Sequence, residues 1–146
     1  MDPLPVDEYL PDENGKPQLY KAAGKLKGKN AIITGGDSGI GRATAIMYAM
    51  EGMANILIVY LPQEEDDAQE AKKRIEHYGA KVHTLALDLV KKENCRKVID
   101  FALEKMGSIN VLVNNHAVQM MRPNIEELPE YVDPVSISNL SMLTFF

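Results

Sequence analysis

The stretch that most constrains this chain is the octapeptide Thr34-Gly35-Gly36-Asp37-Ser38-Gly39-Ile40-Gly41. A short apolar run, Asn30 to Thr34, leads into it. Behind it, from Ile40 to Glu51, residues Ile40, Ala43, Met47 and Met50 recur at helical spacing until Gly52, a residue suited to a helix end. The glycines permit a tight turn and close backbone approach, and the helix that opens behind them offers free N–H groups and the positive end of its dipole. Such a turn between a buried strand and a helix is a cradle for a pyrophosphate. The Walker type of phosphate loop requires Lys and then Ser or Thr after its last glycine, whereas Arg42 and Ala43 follow Gly41.

The same strand–helix rhythm continues downstream. Asn55 to Tyr60 is apolar without alternation at Ile56, Leu57, Ile58 and Val59, as expected of a strand covered on both faces. Gln63 to Gly79 places Glu64, Glu65, Asp66 and Asp67 in front and Lys72, Lys73 and Arg74 behind, complementing a helix dipole; Ala68, Ala71, Ile75 and Tyr78 form its apolar face. This charge pattern belongs to a solvated helix surface. A third strand is predicted over Val82 to Leu87. A helix follows from Glu93 to Met106, with Cys95, Val98, Ile99, Ala102, Leu103 and Met106 on one stripe, so Cys95 reads as core filling. A fourth strand, Ile109 to Val113, runs into Asn114, Asn115 and His116. Right-handed crossovers between parallel strands make this an α/β chain with a Rossmann-like, doubly wound parallel sheet.

Charge and composition exclude several classes. A net charge of -5 argues against a surface for nucleic acid. No apolar leader opens the chain and no apolar run approaches the ~20 residues of a bilayer span, so neither export nor a membrane is expected. Cys95 is the single cysteine, which excludes an intrachain disulfide and points to a cytoplasmic setting. Residues 1–27, with Pro3, Pro5, Pro11 and Pro17 among acidic residues, are expected to form a Pro-rich arm, either a solvated tail or a segment packed on a neighbouring subunit of a homo-oligomer. Residues 28–146 are expected to form a partial dinucleotide-binding domain of Rossmann type.

The spacing TGxxxGxG, in TGGDSGIGRA, resembles the short-chain dehydrogenase/reductase family. Asp88 with Leu89 after the third strand, Asn114 with Asn115 after the fourth, and Asn139 agree with it in order. The long Pro-rich arm makes the chain look most like bacterial, fungal and plant members related to glucose-dehydrogenase-like stress proteins. The resemblance implies NAD or NADP held by Gly35, Asp37, Ser38, Gly39, Ile40, Gly41, Asp88, Leu89, Asn115 and Ala117, with Asn139 supporting catalysis on a small carbonyl or alcohol; no residue is assigned to a metal. Each has a plainer reading: Asp88 as a helix cap, the two Asn as turn formers. His116 stands where the family has a small residue beside the cofactor, so an imidazole there would have to swing aside or be a loop histidine without a role.

The family's acid/base is a Tyr with Lys four residues on, the cation lowering the phenol's pKa. None of Tyr9, Tyr20, Tyr48, Tyr60, Tyr78 and Tyr131 is followed by Lys at that spacing. The expectation is therefore an oxidoreductase by resemblance, represented by a fragment truncated after the fourth strand and inactive as given. The alternative is a non-catalytic nucleotide-binding or partner-binding remnant; a methyl-donor-binding domain explains the motifs less well. The choice between NAD and NADP stays open, since Tyr60 and Leu61 end the second strand, Glu64 comes late and Arg42 sits just past the loop. An uncovered apolar sheet edge predicts that the isolated chain self-associates or melts at low temperature; a monomer that melts cooperatively at an ordinary temperature would contradict this.

Overall fold

The computed structural model describes residues 8–117. They open on an exposed antiparallel hairpin, β1 (Tyr9–Pro11) with β2 (Pro17–Leu19), Tyr9 facing Leu19 across it. Asp12 makes its turn by accepting the N–H groups of Asn14 and Lys16 at 2.8 Å each. The alternating domain follows: β3 (Asn30–Thr34), α1 (Gly39–Met50), β4 (Asn55–Tyr60), a 3-10 turn (Pro62–Glu64), α2 (Glu65–Glu76), β5 (Lys81–Ala86), α3 (Lys92–Met106) and β6 (Val111–Asn114). All strands of the main sheet are parallel, in the order β5-β4-β3-β6. The chain thus steps outward from β3 to β4 and β5, then returns to place β6 on the other side of β3. This is the doubly wound α/β architecture that the sequence predicts.

Strand side chains alternate between two cores, as a pleated sheet requires. Ala31 and Ile33 of β3 and Ile56, Ile58 and Tyr60 of β4 face Ala45, Ile46 and Ala49 of α1 and Ala68, Ala71 and Ile75 of α2. On the opposite face, Ile32, Leu57 and Val59 meet Cys95, Val98, Ile99 and Ala102 of α3. All five residues of β3 are buried, which explains why its sequence shows no polar alternation. Cys95 is 0% exposed, its thiol lies 3.6 Å from Leu89 O, and burial pushes its pKa up, in keeping with a core position. The acidic first turn and basic last turn of α2 are also as expected.

Helix α1 departs from the expected face. Ile40 is 78% exposed, while Arg42, Ala45, Ile46 and Ala49 are buried and Ala43, Met47 and Met50 are half-buried. The helix is apolar around most of its circumference, so periodicity alone does not select a side. Small residues select it instead, because Gly41, Ala45 and Ala49 let the helix approach the sheet closely.

The arm shows a third arrangement besides the solvated tail and the subunit contact: it lies along its own domain. Arg74 of α2 pairs with Glu8 at 3.0 Å. Glu51, at the end of α1 and only 5% exposed, accepts the Tyr20 hydroxyl and the N–H groups of Ala23 and, at 2.7 Å, Lys25. Two three-residue strands carrying proline and exposed on both faces leave no hydrophobic period from which to predict them.

The Tyr20 hydroxyl, then the Lys25 N–H, hold the Glu51 carboxyl below the usual carboxylate value. A depressed folded pKa adds stability above the unfolded value that is lost as pH falls through the folded one. Hydrogen-exchange protection at Ala23 and Lys25, measured against the intrinsic rate at each pH, is therefore expected to fall as the pH drops below the ordinary glutamate range. Glu51→Gln should loosen the same amides at neutral pH, and unchanged protection in that variant would remove Glu51 as the anchor.

Candidate functional site

Order β5-β4-β3-β6 makes the gap between the carboxyl ends of β3 and β6 the point where the winding reverses, the place where doubly wound sheets bind ligands. A cleft of about 820 Å³ lies there. The glycine loop after β3 contributes Gly35, Asp37, Ser38, Gly39 and Ile40 to its lining. The end of β5 adds Leu87, Asp88, Leu89 and Val90, and the end of β6 adds Asn115, His116 and Ala117. Nine of the ten dinucleotide-binding residues expected from the sequence thus line one cleft. The tenth, Gly41, is buried just beneath it. Asn139 lies outside the described residues.

Two glycines show why the loop has this composition. A Cβ on Gly41 would lie 1.9 Å from Gly35 O and 2.6 Å from Asn115 Nδ2, so α1 reaches the strand ends only without a side chain there. Gly39 adopts φ +50° and a Cβ on it would meet nothing within 4 Å, since it borders the open cleft. Ser38 caps α1 in extended conformation without a side-chain hydrogen bond, and the first turn carries no acidic residue. The helix N-terminus is thus not neutralised by its own side chains and can receive an anion. In α2, by contrast, Glu65, Asp66 and Asp67 occupy the first turn.

Thr34 joins the two sides of the cleft. It is fully buried, and its Oγ1 accepts the N–H of Asn115 at 3.0 Å and of His116 at 3.2 Å. His116 Nδ1 lies 2.8 Å from the same oxygen, and the Asn115 amide returns hydrogen bonds to Thr34 O at 3.2 Å and Gly35 O at 3.0 Å. The loop after β3 and the end of β6 are locked together by these bonds. Thr34 is the site position that the sequence reading underrated; its place as the polar residue between Ile33 and the glycine loop was the available signal. The His116 ring is held against Thr34, and desolvation lowers its pKa with Asp88 partly opposing.

Asp88 combines two readings. Its Oδ1 accepts the Val90 N–H at 3.0 Å and its carbonyl accepts Asn94 Nδ2 at 2.6 Å, shaping the entry to α3, while the exposed side chain borders the cleft. Tyr60, at the end of β4, is buried with its hydroxyl on Glu65, and Glu64 turns back onto the Leu61 N–H at 3.1 Å. Arg42 is 8% exposed and does not line the cleft. Among the described residues no helix is long and apolar enough to cross a membrane, and no group of His, Cys, Asp or Glu is arranged to hold a metal.

Comparison with known proteins agrees with this architecture. The chain is 44% identical over 128 residues to General stress protein 39 of Bacillus subtilis, covering 88% of this chain and 41% of that protein. The structure resembles L-sorbose reductase from Gluconobacter frateurii complexed with NADPH and L-sorbose, at TM-score 0.70 and 27% identity, over 82% of this chain and 46% of that one. It also resembles a short chain dehydrogenase/reductase from Burkholderia phymatum in complex with NAD, at TM-score 0.59 and 31% identity, over 64% and 32%. The chain spans about two fifths of the length of the stress protein it matches.

Thr34→Val keeps the shape but removes the acceptor of two buried N–H groups, so a loss of about 1–3 kcal/mol is expected by denaturant titration, largely restored in Thr34→Ser. Gly41→Ala should destabilise by at least about 1–3 kcal/mol through overpacking, a loss greater than that of Gly39→Ala. Equal midpoints for the two glycine variants would contradict the close approach. With the sequence profile described as short chain dehydrogenase matching residues 29–142, the chain belongs to the short chain dehydrogenase family and has its NAD(P)-binding oxidoreductase fold.

Proposed function

We propose that this chain carries the dinucleotide site of an NAD- or NADP-dependent oxidoreductase that reduces a small carbonyl compound or oxidises an alcohol. The observation that carries this reading is the cradle itself: a helix N-terminus without acidic or capping side chains, opened towards the cleft by Gly39 and brought to the strand ends by Gly41. The residues present fit a pyrophosphate. Gly35, Ser38, Gly39 and Ile40 would hold the phosphates with Gly41 and Asp37 supporting the loop, Asp88 and Leu89 would border the adenine, and Asn115 and Ala117 would flank the adjoining ribose. Asn139 would support the reacting end. The bound dinucleotide supplies hydride chemistry; these residues bind and orient it.

The same cradle suits both cofactors. NADPH is named with the sorbose reductase and NAD with the Burkholderia enzyme, and each supports the cofactor class. The likeness to General stress protein 39 supports placement in the stress-protein subgroup, with a homo-oligomer as the working assembly. A second reading rests on one sequence fact. No Tyr among these 146 residues is followed by Lys four positions on, which favours binding without turnover for the stretch taken by itself.

Calorimetric titration of NADH and NADPH into the folded chain tests the proposal. Saturable binding of at least one is expected. Gly39→Val, whose side chain would enter open cleft, should abolish that binding while leaving a folded domain by circular dichroism. A folded chain that binds neither cofactor would sink the proposal.

A further inference from the structure

The choice between NAD and NADP, which the sequence leaves open, turns on what meets the 2′ position of the adenosine ribose. In NAD that position is a neutral hydroxyl, able to donate to a carboxylate. In NADP it is a phosphate with a charge of about −1.5 to −2 at neutral pH, which needs a cation or unfilled N–H groups. Sheet order locates the ribose. With the pyrophosphate at the α1 N-terminus after β3 and the adenine bordered by Asp88 and Leu89 after β5, the ribose between them crosses the end of β4.

Neither requirement of a phosphate is met there. Among the described residues, the acidic side chains lining the cleft are Asp37, Glu64 and Asp88, and no Lys or Arg lines it. Arg42, the cation nearest the loop in sequence, is 8% exposed and lies outside the lining. The helix that follows the end of β4 is α2, and Glu65, Asp66 and Asp67 fill its first turn, with Glu64 just before them on the Leu61 N–H. The α1 N-terminus, which has no such acids, is the place of the pyrophosphate.

Asp37 weighs most among these acids. It sits within the glycine loop itself, lines the cleft and is only 3% exposed. Among the described residues none donates a hydrogen bond to its carboxylate. Burial first, then the hydrogen bond to Glu65, raises the pKa of the Tyr60 phenol, and the charge of Asp37 adds to the rise, so this carboxylate is felt at the end of β4. A charge so little screened by water repels a second anion strongly. We propose that this cleft selects NAD over NADP and that Asp37 is the principal discriminating residue, its charge excluding a 2′-phosphate from the end of β4. The inference rests on the dinucleotide reading of the site.

Calorimetric titration of the full 146-residue chain with NADH and with NADPH tests it. NADH is expected to bind at least about tenfold more tightly. Asp37→Asn keeps the side-chain shape and removes the charge, and should bring the two affinities to within about threefold, chiefly by strengthening NADPH. Asp37→Ser, smaller and also neutral, should do the same and replaces the Asn variant if circular dichroism shows that one unfolded. A parent that binds NADPH as tightly as NADH overturns the inference, and so does a preference for NADH that persists in full in a folded neutral variant. If the parent binds both equally and Gly39→Val abolishes both, the dinucleotide site stands and only the selectivity has failed. A folded parent that binds neither NADH nor NADPH overturns the dinucleotide reading and this inference with it.

Discussion

A single buried hydroxyl, Thr34 Oγ1, holds the working end of the sheet together. Strand β3 delivers the glycine loop and β6 delivers Asn115 and His116, and beyond the paired Ile33 and Val113 the two segments are joined by polar contacts. The hydroxyl bridges them by accepting two backbone N–H groups. Because Thr34 is 0% exposed, water cannot substitute for it, and each donor would otherwise be buried without a partner. The approach of Gly41 to Gly35 O builds on this arrangement, since Asn115 Nδ2 packs against the same two glycines and donates to Gly35 O.

Helices α1 and α2 make opposite use of their dipoles. In α2, three carboxylates fill the first turn, while α1 has neither an acid nor a capping side chain there. Both begin at the carboxyl end of a parallel strand. The contrast separates a helix whose N-terminal dipole is met by its own carboxylates from one whose N-terminus its own side chains leave uncompensated. Asp88 shows how a single residue can serve both ends, ordering the entry to α3 through the Val90 N–H while facing the cleft.

Much of this was legible in the sequence where the signal was local. The apolar strands, most of the α3 stripe and the glycine loop follow from periodicity or from the demands of a tight turn, with Cys95, Val98, Ile99 and Ala102 buried and Met106 packed against them, whereas Leu103, expected on the same stripe, is 45% exposed. The buried face of α1 was not, because an almost uniformly apolar helix has no preferred side until Ala45 and Ala49 meet the sheet. The arm was illegible for a related reason: Glu8 finds Arg74 and Tyr20 finds Glu51 across sequence separations that no local pattern encodes. The part played by Thr34 likewise depends on β6 arriving beside β3, about eighty positions later in the chain.

At the opposite end of β3, Asn30 is 6% exposed and donates to Met106 O, Ser108 O and Ser108 Oγ, while its Oδ1 accepts Asn55 Nδ2 at 2.8 Å. Asn110 and Asn30 also exchange hydrogen bonds through Asn110 Oδ1 and the Asn30 carbonyl. These partners belong to β4, to the end of α3 and to the approach to β6, so the network ties β3 to both neighbouring strands at once. Slipping β3 by one residue would strand the Asn30 amide in the core and carry Thr34 about 3.3 Å along the strand, away from the N–H groups it receives. Asn30 therefore works as a zero mark for the sheet, and the alignment of the cleft is calibrated from the opposite end of the strands.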